Sequence, residues 1–429
     1  MKPKLNTKSI FQIVAIFLFP LFLSSCVKAT LAWADLTPKG VSGTPPILAA
    51  NFPGDGQSVS NISDWENRRK AAIRIAIQEY IYGYMPDSAS ITVLSRKTLD
   101  SNAFGGRATL EEITLTATAT FCTQSNVSQP IIIELIVPKN AAGPVPLILK
   151  QSFSRRWSAV PHPAVTGAPE DGAGSIAGIF KFVFGRYIAT PPLSDILDRG
   201  YAIAIAHPAE FIPDNPSAGL KALADLSKGH NDDATRWGTI GAWGWAYSRM
   251  IDAVIDDPRI KKTGFITYGH SRYGKASLVA AAFDDRISAV ISHQSGTGGA
   301  SLSRRKKGES VTEITQTYPH WFSQNYATFA GRETELPIDQ HHLLSLLAPR
   351  PVMLGNARRD VWSDPNGALK AAIAADPVWK LYGPDKGLRQ SRLRPFMPEA
   401  ELALWLRPGT HGVVKEDWPA FLDFLDAHL

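Results

Sequence analysis

Runs rich in apolar and β-branched residues recur along most of this 429-residue chain. Runs of this length and composition are typical of buried β-strands, and apolar residues spaced three and four apart predict helices. The predicted strands are "ITVLS", "EEITLTATATFC", "PIIIELIVPK", "VPLILKQSF", "YAIAIAHP", "GFITYGHS", "ISAVISHQSG", "RPVMLGNARRD" and "ELALWLRPGTH". From the fourth strand onward, strands alternate with helices. This alternation predicts an α/β fold with a mostly parallel central sheet and helices on both faces.

The helical spacing begins at "SDWENRRKAAIRIAIQEYIYGYMP", for which Asp64 is the predicted N-cap and Pro86 the stop. Further predicted helices are "WGTIGAWGWAYSRMIDAVIDD", "YGKASLVAAAFDD", "DQHHLLSLLA" and "DWPAFLDFLDAHL". The chain has no visible internal repeat. We therefore expect residues 63–429 to form one large α/β catalytic domain. Residues 35–62 are rich in Pro, Gly and Ser and predict a linker or surface arm.

The first 26 residues have the pattern of a secretory signal peptide. Three lysines precede "IFQIVAIFLFPLFLSSC", an apolar run that is short and contains a proline, which disfavours a membrane span. The ending "LSSC" resembles a bacterial lipobox, so we expect cleavage before Cys26 and lipidation of its thiol. Cleavage after Ala34 is the alternative and would give a soluble secreted protein. The expected location is an exported lipoprotein of the periplasm or outer membrane, in contact with a membrane only through that lipid.

Composition is that of an ordinary soluble protein, with 44% hydrophobic and 20% charged residues. The formal charge of +6 falls by three, to +3, when the lysines of the signal segment are removed. The densest basic run, "SRRKKGE", has no interleaved aromatic residues and is typical of a solvated loop. These features argue against a nucleic-acid partner.

The stretch "GHSRYGKAS" allows two interpretations. Read as G-x-x-x-x-G-K, it is close to a phosphate-binding P-loop; read as G-x-S, it begins a nucleophile elbow that exposes Ser271. A P-loop needs Ser or Thr after its lysine to bind magnesium, and Ala276 stands there instead. P-loops also usually open their domain, whereas at least four predicted strands precede this one. We therefore favour the nucleophile elbow.

A serine hydrolase of the α/β-hydrolase type needs an acid and a histidine after the serine, each at the end of a strand. Asp360 ends "RPVMLGNARRD", and His411 follows the last predicted strand in "LRPGTHG". Ser271, Asp360 and His411 are thus the predicted catalytic triad. Asp364 is the less favoured acid, since its position predicts a cap for the helix that follows.

The other histidines are assigned structural roles. His270 and His293 lie beside the elbow and at the end of the next strand. His341 and His342 are neighbours, and neighbours on a helix face different ways, so no metal site is predicted. No cofactor is expected either.

The segments "WGTIGAWGWAYSRMIDAV", "GHSRYGK", "SGTGGASLSRR", "PHWF", "DQHHLLSLLAPRPV" and "DVWSDP" carry a specific resemblance. From about Trp65 to the C-terminus the chain resembles the glucuronoyl esterases, carbohydrate esterase family 15. The resemblance implies a serine esterase that cleaves esters between 4-O-methyl-glucuronic acid of xylan and lignin alcohols. The expected partner is therefore a polysaccharide that bears glucuronate esters.

The resemblance also implies roles for further residues. Arg272 would stabilise the oxyanion beside the backbone N–H groups. Lys275, Glu309 and Trp362 match positions that contact the glucuronate. Many members carry a catalytic Glu after the next strand, and here Gln294 stands in its place, which leaves the acid role to Asp360. The alternatives are a broader carbohydrate or acetyl xylan esterase and a non-catalytic carbohydrate-binding surface protein.

Overall fold

The structure is a computed structural model that describes residues 34–36, 43–167, 183–304 and 307–429. The predicted signal segment, including Cys26, lies outside these residues. In the described part of the chain, no helix combines the length and the apolar character that crossing a bilayer requires.

A single sheet organises the described residues. Its strands are β1 (Ser88–Asn102), β2 (Ala108–Phe121), β3 (Gln124–Val127), β4 (Ile131–Pro138), β5 (Val145–Gln151), β6 (Ala202–Ala206), β7 (Ile260–His270), β8 (Ile287–His293), β9 (Val352–Ala357) and β10 (Leu402–Arg407). The order across the sheet is β1-β2-β4-β6-β5-β7-β8-β9-β10, with β3 beside β2. Strands from β6 to β10 in this order are mutually parallel, and β1 to β4 are antiparallel. The predicted α/β class with a mostly parallel sheet is confirmed.

Helices cover both faces of the sheet. They are α1 (Ile62–Asp64), α2 (Lys70–Ile77), α3 (Ala103–Gly106), α4 (Arg156–Ala159), α5 (Leu193–Asp198), α6 (Pro216–Leu226), α7 (Thr239–Asp252), α8 (Arg272–Phe283), α9 (Val311–Thr317), α10 (Gln324–Ala327), α11 (Gln340–Ser345), α12 (Pro365–Leu381) and α13 (Asp417–Asp426). Two π-helical turns, Trp65–Arg69 and Gln78–Tyr82, flank α2. Short 3₁₀ turns occur at Arg186–Ile188, Pro208–Glu210, Asp233–Thr235 and Glu333–Glu335.

Two apolar cores separate the helices from the sheet. On one face, Trp243 of α7, Leu278 of α8 and Trp379 of α12 are buried in a common cluster. On the other face, Ile196 of α5 and Phe421 of α13 belong to a second cluster. Because the strands of the parallel region are covered on both sides, most of their residues are apolar, without a regular alternation of apolar and polar positions. The carboxyl ends of β7 to β10 lie along one edge of this sheet, where the candidate site is found.

The predicted first helix differs from the structure at both ends. Its N-cap is Asn61, whose side-chain oxygen accepts from the Asp64 N–H at 3.0 Å, so the expectation that Asp64 is the cap is wrong. Asp64 instead accepts from the backbone N–H of Ser60 at 2.9 Å. The helical segment ends at Tyr82, where Gly83 takes a φ of 78°, before Pro86 is reached. A left-handed glycine ends a helix without a steric penalty.

The described part of the predicted linker or surface arm packs against the domain. Ile47, Phe52 and Val59 are buried. Arg69 is fully buried and donates to the carbonyls of Ala49 at 2.8 Å and Gln57 at 2.6 Å. Buried apolar side chains and a guanidinium that binds backbone carbonyls fix this stretch in place. The described residues of 43–62 are therefore a packed arm and not a free linker.

Candidate active site

Ser271 lies in a sharp turn between β7 and α8. Its φ of 56° and ψ of −123° form a backbone conformation that side-chain-bearing residues rarely adopt. Gly269 makes the turn possible, because a Cβ at that position would lie 2.0 Å from the carbonyl oxygen of Tyr273. A strand, a strained turn and a helix present a serine side chain in the manner of a nucleophile elbow.

The residues after the serine explain why this elbow departs from G-x-S-x-G. Tyr273 is buried and packs against Phe153 and Trp243, with ring centroids 4.5 Å and 5.2 Å away. Gly274, the next residue, occupies the crowded position. A Cβ on Gly274 would lie 3.0 Å from the Gly269 carbonyl oxygen and 3.1 Å from the Cβ of Ser295. In this chain the second small residue is needed at Gly274, while Tyr273 points into the core.

His411 and Asp360 form a short polar contact in the site. The Nδ1 atom of His411 lies 2.7 Å from Oδ2 of Asp360. Because a carboxylate only accepts, this contact places the proton on Nδ1 and leaves Nε2 as an acceptor. Burial by itself raises the pKa of Asp360, but the charge and hydrogen bond of His411, with bonds from Ser363, hold that pKa below its ordinary value.

His411 also lies beside the elbow. Its ring centroid is 4.6 Å from that of His270, the residue immediately before Ser271. The His411 side chain is 31% exposed, whereas Asp360 is buried. The imidazole therefore lies between a buried carboxylate and the protein surface. The structure thus brings the three sequence-predicted residues, Ser271, Asp360 and His411, to the same end of neighbouring parallel strands.

Gln294 binds the loop that carries His411 through the peptide groups on both sides of that residue. Its Oε1 accepts from the N–H of Gly412 at 2.8 Å, and its Nε2 donates to the carbonyl of Thr410 at 3.3 Å. Gln294 is buried and has a φ of 49°. An amide both donates and accepts, so it satisfies the peptide groups on either side of His411, which a carboxylate does not.

Arg407 also holds the loop that carries His411. Its Nη2 donates to the carbonyls of Thr410 at 3.0 Å and Gly412 at 2.8 Å. Its Nε donates to both oxygens of Asp417 at 3.0 and 2.9 Å, and both residues are buried. The loop is therefore fixed by a buried ion pair as well as by Gln294.

Ser363 was not identified from the sequence. Its Oγ lies 3.3 Å from Nδ1 of His411 and 3.3 Å from the carbonyl oxygen of Gln294. Its N–H also donates to Asp360 at 3.3 Å. The only signal in the sequence was its position three residues after Asp360 in "DVWSDP". Asp364 next to it caps α12 by accepting from the Gly367 N–H at 2.9 Å, in agreement with the predicted capping role.

Arg272 is the first residue of α8, next to Ser271. Its guanidinium lies over the rings of Trp321 at 4.8 Å and of Phe153 and Tyr318 at 5.5 Å each. It also forms an ion pair with Asp214, a residue that was not identified from the sequence. The charge of Arg272 is therefore held beside the elbow.

Lys275, Glu309 and Trp362 lie close together. The buried Lys275 Nζ donates to the carbonyls of Ser295 at 2.5 Å and Thr297 at 2.6 Å. Thr297 Oγ1 donates to the carbonyl of Glu309, whose N–H donates to the Trp362 carbonyl at 3.0 Å. Trp362 is 53% exposed, so its indole is available to pack beside a bound ring.

His270 and His293 are both buried and share a contact of 3.1 Å between their Nδ1 atoms. One nitrogen must donate and the other accept. Burial, followed by the charge of His411, holds the pKa of His270 well below its ordinary value, and burial also lowers the pKa of His293. The pair is therefore neutral at neutral pH and packs behind His411.

His341 and His342 differ from expectation in their geometry. Their ring centroids lie 3.9 Å apart, although neighbouring helix residues were expected to face different ways. Each is engaged with backbone, because His341 Nε2 lies 2.8 Å from the Pro45 carbonyl and His342 Nδ1 accepts from the Asp339 N–H at 3.1 Å. Within the described ranges, no group of three or more His, Cys, Asp or Glu side chains is arranged to hold a metal ion.

Comparison with known proteins identifies relatives of this chain. A family model described as "Glucuronyl esterase, fungi" matches residues 229–383. The carbohydrate esterase MZ0003 from an unknown prokaryotic organism is 30% identical over 393 residues, which are 87% of this chain and 88% of that protein. A 4-O-methyl-glucuronoyl methylesterase 1 from Wolfiporia cocos is 27% identical over 340 residues, covering 77% of this chain and 70% of that one.

Solved structures are similar over nearly the whole chain. A promiscuous CE15 esterase from a marine bacterial metagenome has a TM-score of 0.77 at 28% identity, covering 92% of this chain and 98% of that one. The glucuronoyl esterase from Solibacter usitatus has a TM-score of 0.75 at 29% identity, covering 91% of this chain and 99% of that one.

The fold and these relatives define an α/β-hydrolase that acts as a carboxylic ester hydrolase. More specifically, the chain belongs to carbohydrate esterase family 15, the glucuronoyl esterases.

Proposed function

We propose that this chain hydrolyses esters of (4-O-methyl-)glucuronic acid on xylan-type polysaccharide through a serine acyl-enzyme. The observation that carries the proposal is the 2.7 Å contact between His411 and Asp360 beside the strained turn at Ser271. Relatives named as 4-O-methyl-glucuronoyl methylesterases support the substrate class.

In the proposed reaction, Ser271 Oγ attacks the ester carbonyl carbon while Nε2 of His411 takes the hydroxyl proton. Asp360 holds the ring with its proton on Nδ1 and stabilises the imidazolium that forms. The tetrahedral oxyanion collapses, the C–O bond to the alcohol breaks, and His411 returns its proton to the departing alcohol oxygen. Water then attacks the acyl-enzyme with His411 as base, which releases the glucuronic acid and restores the serine.

Arg272 supplies the positive charge for the oxyanion in this proposal. Arg272 directly follows Ser271 in the chain, and its guanidinium is held over three aromatic rings. The positive charge is therefore in place before the reaction starts. Lys275, Glu309 and Trp362 would bind the sugar: an ammonium and a carboxylate suit hydroxyl groups, and the exposed indole suits the ring. Their mutual contacts around Thr297 support a common role.

A second candidate function is a broader carbohydrate or acetyl xylan esterase. One observation favours it: a structural relative with a TM-score of 0.77 is described as promiscuous. Both functions use the same triad, so they differ only in which acyl and alcohol groups the binding residues accept.

A substrate panel tests the proposal. Initial rates should be measured on methyl, benzyl and aryl esters of glucuronate beside acetylated xylan. We expect kcat/KM to be higher on the glucuronate esters, and Ser271→Ala to lower all rates by roughly 10⁴-fold or more. A preference for acetylated xylan would favour the second function. Turnover of Ser271→Ala close to that of the unmodified protein would exclude the serine mechanism.

We further propose that the chain is exported and anchored by a lipid on Cys26. The three lysines, the apolar run and the "LSSC" ending support this location, and soluble export after cleavage at Ala34 is the alternative. In either location the protein would meet polysaccharide outside the cytoplasm.

A further inference from the structure

The guanidinium of Arg272 lies in an aromatic cage. Trp321 and Tyr318 are stacked on each other, with centroids 3.7 Å apart and planes 4° from parallel, and Phe153 contributes a third ring. Aromatic faces attract a cation but set its rotation only weakly, because the attraction varies little as the guanidinium turns over a ring. A second interaction is needed to fix the direction of its N–H groups.

Asp214 supplies that interaction from a distant segment of the chain. It lies between the turn Pro208–Glu210 and helix α6, and its Oδ2 pairs with Nη1 of Arg272. Its Oδ1 accepts from Nε2 of His320 at 2.9 Å and from Nε1 of Trp321 at 2.8 Å. The carboxylate is thus held by two donors on one oxygen and directs the other oxygen to the arginine.

His320 takes part as a neutral donor. It is buried, and burial, followed by the positive charge of Arg272, lowers its pKa to about 4. At neutral pH the ring is therefore uncharged, and Nε2 carries the hydrogen that Asp214 accepts. A neutral His320 does not compete with Arg272 for the negative charge of Asp214.

We propose that Asp214 is a positioning residue for the esterase reaction, which fixes the guanidinium of Arg272 so that its charge faces the oxyanion that forms at Ser271. The inference rests on the proposed function, in which Arg272 stabilises that oxyanion. A charge that is already oriented needs no reorganisation in the transition state, and this is the source of its catalytic value. Asp214 does not contact the reacting atoms and acts through Arg272.

A purely structural role would give different kinetics. If Asp214 only joined the loop before α6 to residues 318–321, its loss would lower stability and would affect activity whether or not Arg272 is present. If it acts through Arg272, its loss lowers kcat with little change in KM, and this effect disappears when Arg272 is absent.

The test is a double-mutant cycle on a glucuronate benzyl ester, with kcat, KM and thermal unfolding measured for each variant. Removing an oxyanion donor typically costs 10²–10³-fold in kcat, so we expect a loss of about that size for Arg272→Ala. We expect Asp214→Asn to lower kcat by roughly 10-fold to 100-fold with KM within about twofold, since Arg272 remains but is less well directed. In the Arg272→Ala background, Asp214→Asn should change kcat less than about twofold.

A matched control is Asp232→Asn. Asp232 is also a loop carboxylate that accepts a backbone hydrogen bond, from Ala234 at 2.9 Å, and this variant should leave kcat unchanged. If Asp214→Asn fails to fold, Trp321→Phe keeps the ring over Arg272 and removes one donor to Asp214. It should lower kcat about twofold to fivefold, and only when Arg272 is present.

Equal losses from Asp214→Asn in the presence and absence of Arg272 would overturn the positioning role. A full loss with Arg272→Ala and none with Asp214→Asn would overturn it as well, while the proposed function would stand. If Arg272→Ala itself leaves kcat unchanged, the oxyanion assignment and the inference both fail. In that case the turnover of Ser271→Ala still tests the serine mechanism separately, because a large loss of activity in this variant would support it.

Discussion

Nδ1 of His411 lies 2.7 Å from Oδ2 of Asp360, and the two residues are 51 positions apart in the chain. Asp360 follows β9 and His411 follows β10, which are adjacent parallel strands in register from Leu402 to Arg407. The pairing of the strands therefore brings the carboxylate and the imidazole together. Around this contact, Gln294 and Arg407 fix the loop, so the direction of the ring is determined from both sides.

The first prediction separates the roles of Asp360 and Gln294. Asp360→Asn should lower kcat by roughly 10³–10⁴-fold on glucuronate esters, because an amide neither fixes the Nδ1–H tautomer nor stabilises the imidazolium. Gln294→Ala should lower kcat by only about 10-fold, since Arg407 still holds the loop through Thr410 and Gly412. Steady-state kinetics on the purified variants measures both.

Asp364→Asn is the matched control for that prediction. Asp364 caps α12, and an Asn side chain is able to keep the bond to Gly367, so kcat should stay within about twofold and stability within about 1 kcal/mol. A larger loss of kcat from Gln294→Ala or Asp364→Asn than from Asp360→Asn would show that the acid has been assigned to the wrong residue.

The second prediction concerns substrate selectivity. Lys275→Ala should lower kcat/KM on a glucuronate ester by an amount that corresponds to one charge-assisted hydrogen bond, about 1.5–3 kcal/mol. Turnover of a small aryl acetate should fall much less, because that substrate lacks the sugar hydroxyls. Thermal unfolding must be compared in parallel, since Lys275 Nζ also donates to the carbonyls of Ser295 and Thr297. Equal losses on both substrates would assign the lysine a structural role and favour the broader esterase.

The third prediction concerns stability and pH. Lys150 of β5 is buried beside Ile205 and Tyr268, and its Nζ has no hydrogen-bond partner among the described residues. Burial lowers the pKa of Lys150 from 10.5 to about 7. Between these two pH values the unfolded chain binds more protons than the folded one, so this group lowers stability most at and below pH 7 and less as pH rises.

Lys150→Met should therefore raise the free energy of unfolding at pH 7 by about 4 kcal/mol, and the gain should shrink as pH rises towards 10. Urea unfolding at several pH values measures it. Lys262→Met, at an exposed lysine on the neighbouring strand β7, is the control and should change stability by less than about 0.5 kcal/mol. A loss of stability at pH 7 in Lys150→Met would mean that the ammonium is stabilised in the folded protein.

The fourth prediction concerns the exported form. With Cys26 lipidated, the protein should fractionate with membranes after expression in a bacterial host, and Cys26→Ala should release it to the soluble fraction or stop its processing. Mass spectrometry of the mature N-terminus distinguishes cleavage before Cys26 from cleavage after Ala34. A soluble product that begins at Asp35 would contradict the lipid anchor.

The sequence by itself determined the fold class and the order of Ser271, Asp360 and His411 along it. Both depend on local patterns: apolar runs mark buried strands, glycines mark the tight turn, and polar residues directly after strands lie at one edge of a parallel sheet. For the same reason, the predicted Asp364 cap agrees with the structure, since a helix cap is formed within a few residues of the chain.

Only the tertiary structure decided which distant side chains support those residues. Asp214 reaches Arg272 from 58 positions away, and Gln294 binds peptide groups 116 and 118 positions away. Such contacts leave no periodic signal, because they depend on how loops from separate strands pack against one another. The packed arm at 43–62 has the same origin. Its Pro, Gly and Ser content predicted a linker or surface arm, and the structure shows an arm that the buried Arg69 fixes on the domain by binding its carbonyls. Local sequence patterns therefore determined the strands and the candidate triad residues, and long-range packing determined the geometry in which those residues are held.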